Sequence, residues 1–167
     1  SALNGLRNGG ILAITATDTG ALCGTYQKAC SRRYNAANRK SISSKEFALR
    51  ILIGFIARQA ALLDMGIEVL LGYYEGHHFR AYLKIHKGAG KADKSLAMVR
   101  HVSSDLQIIN HSTSDSYGPM WTGKIADEKY LPDINPNNKK LYKLINILKS
   151  ECKGPLGLQA VSYTHLR

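Results

Sequence analysis

Asn8-Gly9-Gly10-Ile11-Leu12-Ala13-Ile14-Thr15-Ala16-Thr17-Asp18-Thr19 is the stretch on which the fold turns. Leu3 and Leu6 stand ahead of it, and with Asn8-Gly9-Gly10 they read as the last turn of a helix stopped by a glycine cap. Residues 11–17 then form a short, continuously apolar run rich in β-formers. That pattern predicts a strand buried on both faces, as in a parallel sheet. Helix, glycine pair and buried strand together predict an α/β fold.

Downstream, residues 19–45 carry six basic side chains, Lys28, Arg32, Arg33, Arg39, Lys40 and Lys45, and no acidic one. Hydrophobic periodicity is slight there, so the stretch reads as a long loop with at most one short helical turn. Loops of that length in compact domains are usually functional. Ser43-Ser44-Lys45-Glu46 has the form of a capping box, opening a helix expected to run to about Asp64. Glu46, Arg50, Gly54 and Arg58 recur every fourth residue and leave one narrow polar stripe on an apolar cylinder, the pattern of a helix packed hard on a sheet. Glu46 and Arg50 are also spaced as a favourable helical ion pair, worth roughly a few tenths of a kcal/mol. Residues 67–74 and 78–86 read as two strands joined by a turn at Glu75-Gly76. In the second strand Phe79, Ala81, Leu83 and Ile85 share a dry face, opposite His78, Arg80, Tyr82, Lys84 and His86. This predicts an antiparallel hairpin at a sheet edge.

Beyond the hairpin, residues 87–91 read as a linker, 92–102 as a short helix, 106–110 as a short strand and 112–116 as a turn. Tyr117-Gly118-Pro119-Met120-Trp121-Thr122-Gly123 reads as a compact aromatic loop with Trp121 as a core anchor. Asn135-Pro136-Asn137-Asn138 opens a last helix with Leu141, Leu144, Ile145 and Leu148 on one stripe. The organisation expected is a sheet-bearing unit over 1–88, a small α+β unit over 89–159 and a non-native tail over 160–167. That tail follows Gly154-Pro155-Leu156-Gly157 and has neither helical nor strand period.

The chain has 167 residues, 23 Lys plus Arg against 12 Asp plus Glu, and a net charge of +11. A surplus of that size favours polyanionic partners, nucleic acid before an anionic membrane surface, although a basic solvated surface without a dedicated partner gives the same count. The most apolar stretch, residues 51–57, is bracketed by Arg50 and Arg58 and is far shorter than the roughly 20 residues needed to span a bilayer. Three cysteines, Cys23, Cys30 and Cys152, form neither a zinc pattern nor a redox pair, and free thiols in a cytoplasmic setting are expected.

Four segments in order carry a more specific signal. Residues 8–19 with Leu22-Cys23-Gly24, the helix segment Glu46-Phe47-Ala48-Leu49-Arg50-Ile51-Leu52 and the loop Gly118-Pro119-Met120-Trp121-Thr122-Gly123 together resemble the tRNA (guanine(26)-N(2))-dimethyltransferase family. The resemblance implies the C-terminal half of a Rossmann-like methyltransferase sheet, late strands with an antiparallel edge hairpin, followed by part of a small α+β domain. It implies transfer of methyl groups from S-adenosylmethionine to the exocyclic N2 of a guanine in tRNA. The glycine-rich cofactor turn and the Asp-Pro-Phe loop expected of the family do not occur in this sequence, so no catalytic residue is assigned and the chain alone is expected to be inactive. Many relatives carry paired cysteines after the hairpin; here residues 101–107 hold none, and no metal is expected.

Thr15, Thr17, Asp18 and Thr19 fall at the carboxyl end of the first strand, where open α/β sheets bind ligands. The resemblance makes them candidates to line the pocket for a flipped guanine. The alternative is an Asx turn closed by Asp18 with the threonines satisfying loop backbone. Arg32, Arg33, Arg39 and Lys40 are candidates for phosphate contacts, with Tyr26 and Tyr34 offering either stacking faces or packing. Arg80 and Lys84 on the wet face of the hairpin are further tRNA-binding candidates, or charges that guard a sheet edge. Arg50 and Arg58 are expected to form structural ion pairs, and Cys23 lacks a positioned base that would make it a nucleophile. Two other functions remain compatible with the residues: a non-enzymatic basic RNA-binding module, and a methyltransferase of the same fold with another substrate.

Overall fold

The computed structural model describes residues 2–130 together with Tyr142 and Asn146. Apart from Tyr142 and Asn146, both helical, the expected last helix lies outside the described residues, as does the tail at 160–167. After a 3-10 turn at Ala2–Gly5 come strand β1 (Ile11–Ala16), helices α1 (Thr19–Leu22), α2 (Gln27–Tyr34) and α3 (Ser44–Ala61), and strands β2 (Met65–Glu75) and β3 (His78–Lys87). Helix α4 (Ala89–Leu96), strands β4 (Val99–Val102), β5 (Ile108–Ile109) and β6 (Tyr117–Trp121), and a 3-10 turn at Glu128–Tyr130 complete the order.

The first sheet has the order β1-β3-β2, and both pairings are antiparallel. It follows that β1 and β2 run parallel to each other with β3 reversed between them. The β2–β3 hairpin and its dry face are as the alternation predicts: Phe79, Ala81, Leu83 and Ile85 are fully buried. The hairpin lies at the sheet edge as expected, but with β2 outermost and β3 central, so the charges on β3 do not guard an edge. Nor is β1 buried on both faces. It is an outer strand paired antiparallel with β3, with Leu12, Ile14 and Ala16 packed toward the core and Ile11 60% exposed. A continuous apolar run reports that neighbours are wanted, not which strand supplies them.

Residues 19–45 form two helices rather than one long loop. Helix α2 buries only Cys30, and one buried residue leaves no stripe to read. Helix α3 forms as expected and buries Phe47, Leu49, Ile51 and Ile53 among others. The reciprocal capping box does not form. Ser43 is the N-cap without a side-chain cap bond, and Glu46 turns instead to Arg50, whose Nε donates to it at 2.9 Å.

The expected linker at 87–91 is instead the start of α4, and the expected aromatic loop is strand β6 in a second sheet of order β5-β4-β6. Helix α4 lies against β2, and the second sheet packs through β6 on α3. Gly54 brings α3 so close to β6 that a Cβ there would stand 3.0 Å from the Trp121 nitrogen. One apolar core runs from Leu49 and Leu83 through to Val102, Met120 and Trp121. The outer edge of β2 is covered as well: Gly72 donates to the Ile125 carbonyl at 2.7 Å, Asp127 to the Leu70 carbonyl at 3.1 Å, and the Ile67 N–H reaches Ser95 Oγ at 2.8 Å.

Glu68, midway along that edge, gathers Lys129 Nζ at 2.9 Å, His86 Nε2 at 2.9 Å and the Tyr130 hydroxyl at 3.2 Å. Hydrogen bonds from Lys129 first, then His86, hold its carboxyl at a pKa of about 2. A carboxylate whose folded pKa is depressed adds stability above its unfolded pKa and loses it as pH falls through the folded value. Glu68→Gln is therefore expected to cost about 1 kcal/mol or less at neutral pH, given its partial exposure. In urea melts the gap to the unaltered chain should close as pH falls from the ordinary glutamate range toward about 2; a gap that persists there would refute the ionic account.

Candidate nucleic-acid interface

At its carboxyl end β1 delivers Thr15, Thr17, Asp18 and Thr19 into the turn that starts α1. Thr15 and Thr17 are exposed, and Asp18 and Thr19 half-buried. Asp18 does not close an Asx turn. Its carboxylate accepts from Arg33 Nη1 at 2.6 Å and from the Tyr34 hydroxyl at 3.5 Å, which fastens the end of α2 to the end of β1. That bond and the nearby negative charge raise the pKa of Arg33, while burial first and then Asp18 raise that of Tyr34.

The six basic candidates separate into kinds that composition does not distinguish. Arg33 is committed to Asp18. Arg39 lies over the Tyr117 ring at 4.9 Å, donates to the Ser116 carbonyl at 3.1 Å and stands 3.5 Å from Asp115, so it fastens the segment after α2 to the second sheet. Paired backbone bonds between Ala37 and Gly118 reinforce that junction. Arg32 and Lys40 are exposed and make no hydrogen bond or ion pair among the described residues. Arg80 faces Thr15 across the β1–β3 pairing, and its Nε is buried without a partner among the described residues. Lys84 faces Ile11 at the opposite end of β1, four residues or roughly 13 Å away along the strand. Thus the structure brings Arg32, Arg33 and Arg80 to the Asp18 end, and it leaves Lys84 away from it.

Lys28 was not singled out by the sequence, yet it is as free as Arg32 and one helical turn from it on α2. The signal was present in the acid-free run; without the helix, nothing put the two cations on one face. Together with Asp18, Tyr26 and Arg33 they line an open depression of about 720 Å³. Tyr34 packs edge-on against Phe55 with ring centroids 5.5 Å apart, whereas Tyr26 is 65% exposed.

Burial raises the pKa of Cys23 and, with help from Asp18, pushes Cys30 up to about 11. Arg50 and Arg58 act as ties rather than reagents. Arg50 donates to the carbonyls of Trp121 and Gly123 at 3.2 and 2.8 Å, and Arg58 to that of Tyr34 at 2.5 Å.

A reversed strand set between two parallel ones, the second reached through a long helix, with polar residues at the carboxyl end of the first, is the closing part of a Rossmann-like methyltransferase sheet. The chain belongs to the N2,N2-dimethylguanosine tRNA methyltransferase family, whose model matches residues 1–161. It is 38% identical over 169 residues to the tRNA (guanine(26)-N(2))-dimethyltransferase of Thermococcus kodakarensis, covering 93% of this chain and 45% of that one. The enzyme of the same name from Pyrococcus abyssi is 37% identical over 172 residues, with the same two coverages. A solved structure of Trm1 from Pyrococcus horikoshii with S-adenosyl-L-methionine superposes with a TM-score of 0.75 at 33% identity, covering 89% of this chain and 43% of that one. The chain therefore spans less than half the length of the relatives it matches.

Proposed function

We propose that this chain is the part of a tRNA (guanine-N2)-methyltransferase that carries the late strands of the sheet, over 1–88, and a small tRNA-binding unit, over 89–159. The whole protein transfers methyl groups from S-adenosylmethionine to the exocyclic N2 of a guanine in tRNA, in the cytoplasm. Thr15, Thr17, Asp18 and Thr19 border the guanine pocket, and the free cations beside them hold the tRNA backbone. The observation that carries this reading is the pair Lys28 and Arg32, unpaired and beside the carboxyl end of β1.

Gly9 and Gly10 precede β1 rather than a helix, and Gly88 and Gly90 open α4 only after the last strand of the first sheet, whereas a cofactor turn of this fold belongs after the first strand of the complete sheet. No step of methyl transfer is accordingly assigned to these side chains. A free-standing RNA-binding module is the weaker reading, since β1 has an outer edge with no strand partner among the described residues and exposes Ile11 there. In a protein about twice as long, the rest of the sheet covers that edge.

Binding of an unmodified tRNA transcript, followed by fluorescence anisotropy across a salt series, tests the reading. Replacing Lys28, Arg32 and Lys40 together with alanine is expected to lower the slope of log affinity against log salt by about 2. An unchanged slope would remove these cations from the interface.

A further inference from the structure

We propose that Tyr26 is a stacking platform for an unstacked base of the RNA. The inference rests on the reading that RNA meets the carboxyl end of β1, and it adds how a single nucleotide is gripped there. Among the described residues Tyr26 is an aromatic side chain left 65% exposed at the mouth of the depression that Lys28, Arg32 and Asp18 line.

The ring is exposed but anchored. The Tyr26 N–H donates to the Gly20 carbonyl at 3.0 Å, and the Tyr26 carbonyl accepts from Ala29 and Cys30, each at 3.0 Å, as α2 begins. Its side chain rests against Gly20 so closely that a Cβ there would lie 2.8 and 2.9 Å from ring atoms Cε2 and Cδ2. Such seating fixes one edge of the ring and loses little further freedom on binding, which is what makes aromatic side chains effective contacts. A packing role would be served by burying the ring, as Tyr34 does against Phe55.

The surroundings fit a nucleotide better than an apolar ligand. Every nucleobase has a π face, and single-stranded or splayed-out bases stack on aromatic side chains while neighbouring cations take the phosphates. Lys28 is two residues from Tyr26 and Arg32 one turn beyond Lys28, and Arg33 is already neutralised by Asp18, so both free charges are available to that backbone. A methyltransferase acting on a base within folded RNA must take that base out of its stack, and its neighbours then lose a stacking partner. Tyr26 offers a replacement.

The test is anisotropy of the unmodified tRNA transcript with the full chain and three variants. Tyr26→Leu keeps bulk against Gly20 but removes the π face, and it is expected to weaken binding about tenfold. Tyr26→Phe should bind within about twofold of the unaltered chain, and neither variant should change the salt slope, because no charge is lost. Arg32→Ala provides the control: it should flatten the salt dependence by about one contact. If Arg32→Ala behaves so while Tyr26→Leu binds normally, stacking fails and RNA docking at this end stands. If neither variant alters binding, both ideas fail. Should Tyr26→Leu not fold, short-wave ultraviolet crosslinking of the unaltered chain to the same transcript decides the matter. An adduct on Tyr26 supports the platform, and adducts confined to other residues overturn it.

Discussion

Gly66→Ala is expected to destabilise the protein by about 3 kcal/mol, a large share of what a domain of this size can lose. A Cβ at Gly66 would stand 2.5 Å from the Lys91 carbonyl carbon and closer still to its oxygen. Both are backbone atoms of α4, so no rotamer change relieves the clash and the helix itself must lift from β2. That displacement breaks more than van der Waals contact. Ser95, buried on α4, accepts from the Ile67 N–H at 2.8 Å and donates back to the Ile67 carbonyl at 3.4 Å, so one hydroxyl stands in for a neighbouring strand at this point of the sheet edge. Lifting α4 leaves both groups unpartnered and opens the edge to other chains. Urea melts should show the lower midpoint, and hydrogen exchange should show the Ile67 amide losing protection ahead of β3. A variant that melts with the unaltered chain, or that keeps Ile67 protected, would mean that α4 is not the edge cap described.

What the sequence disclosed was what short periods encode. The dry face at Phe79, Ala81, Leu83 and Ile85 was legible because strict alternation has one structural meaning, whereas the helix expected to be stopped by Gly9-Gly10 is a 3-10 turn that already ends at Gly5. The apolar run of β1 was not diagnostic of its partners. Its neighbour turned out to be β3, reached through α3 and β2, and no local pattern specifies that pairing. Strand β6 was hidden by Gly118-Pro119. Proline lacks the N–H a ladder needs, and Pro119 sits where the β4–β6 register shifts, which is the place a strand tolerates it. At the candidate site, the acid-free basic run was plain, but which cations are free was not. Asp18 lies 15 residues from Arg33, and Asp115 lies 76 from Arg39; only the fold brings them together and leaves Lys28 and Arg32 unpaired. Tyr26 and Tyr34 were indistinguishable as sequence for the same reason, since exposure is decided by Phe55 and Gly20 rather than by either tyrosine.

Arg50→Met is expected to cost about 3 kcal/mol and to loosen the second sheet before the first. The Arg50 side chain is buried on the face of α3 that meets β6. Its guanidinium serves three acceptors from two directions: Glu46 Oε1 through Nε at 2.9 Å, and the carbonyls of Trp121 and Gly123 through Nη1 at 3.2 and 2.8 Å. Methionine keeps much of the volume and supplies no donor, so a half-buried carboxylate and two carbonyls lose their partner. Lysine would not repair this, because a single ammonium lacks the planar fork that reaches both directions. The penalty should be largely the stranded carboxylate, and Glu46→Gln combined with Arg50→Met is therefore expected to recover part of the loss. Trp121, the one tryptophan in the chain, reports directly on the junction. Its indole donates to the Lys124 carbonyl at 3.0 Å, and its fluorescence should shift to the red in Arg50→Met at urea concentrations where the first sheet is still folded by circular dichroism. The consequence reaches the RNA-facing side. Strand β6 also holds Tyr117 under Arg39 and Gly118 against Ala37, so a loosened β6 releases the segment that follows α2. Coincident fluorescence and circular dichroism transitions at an unchanged midpoint would show that Arg50 is not the clamp between the two sheets.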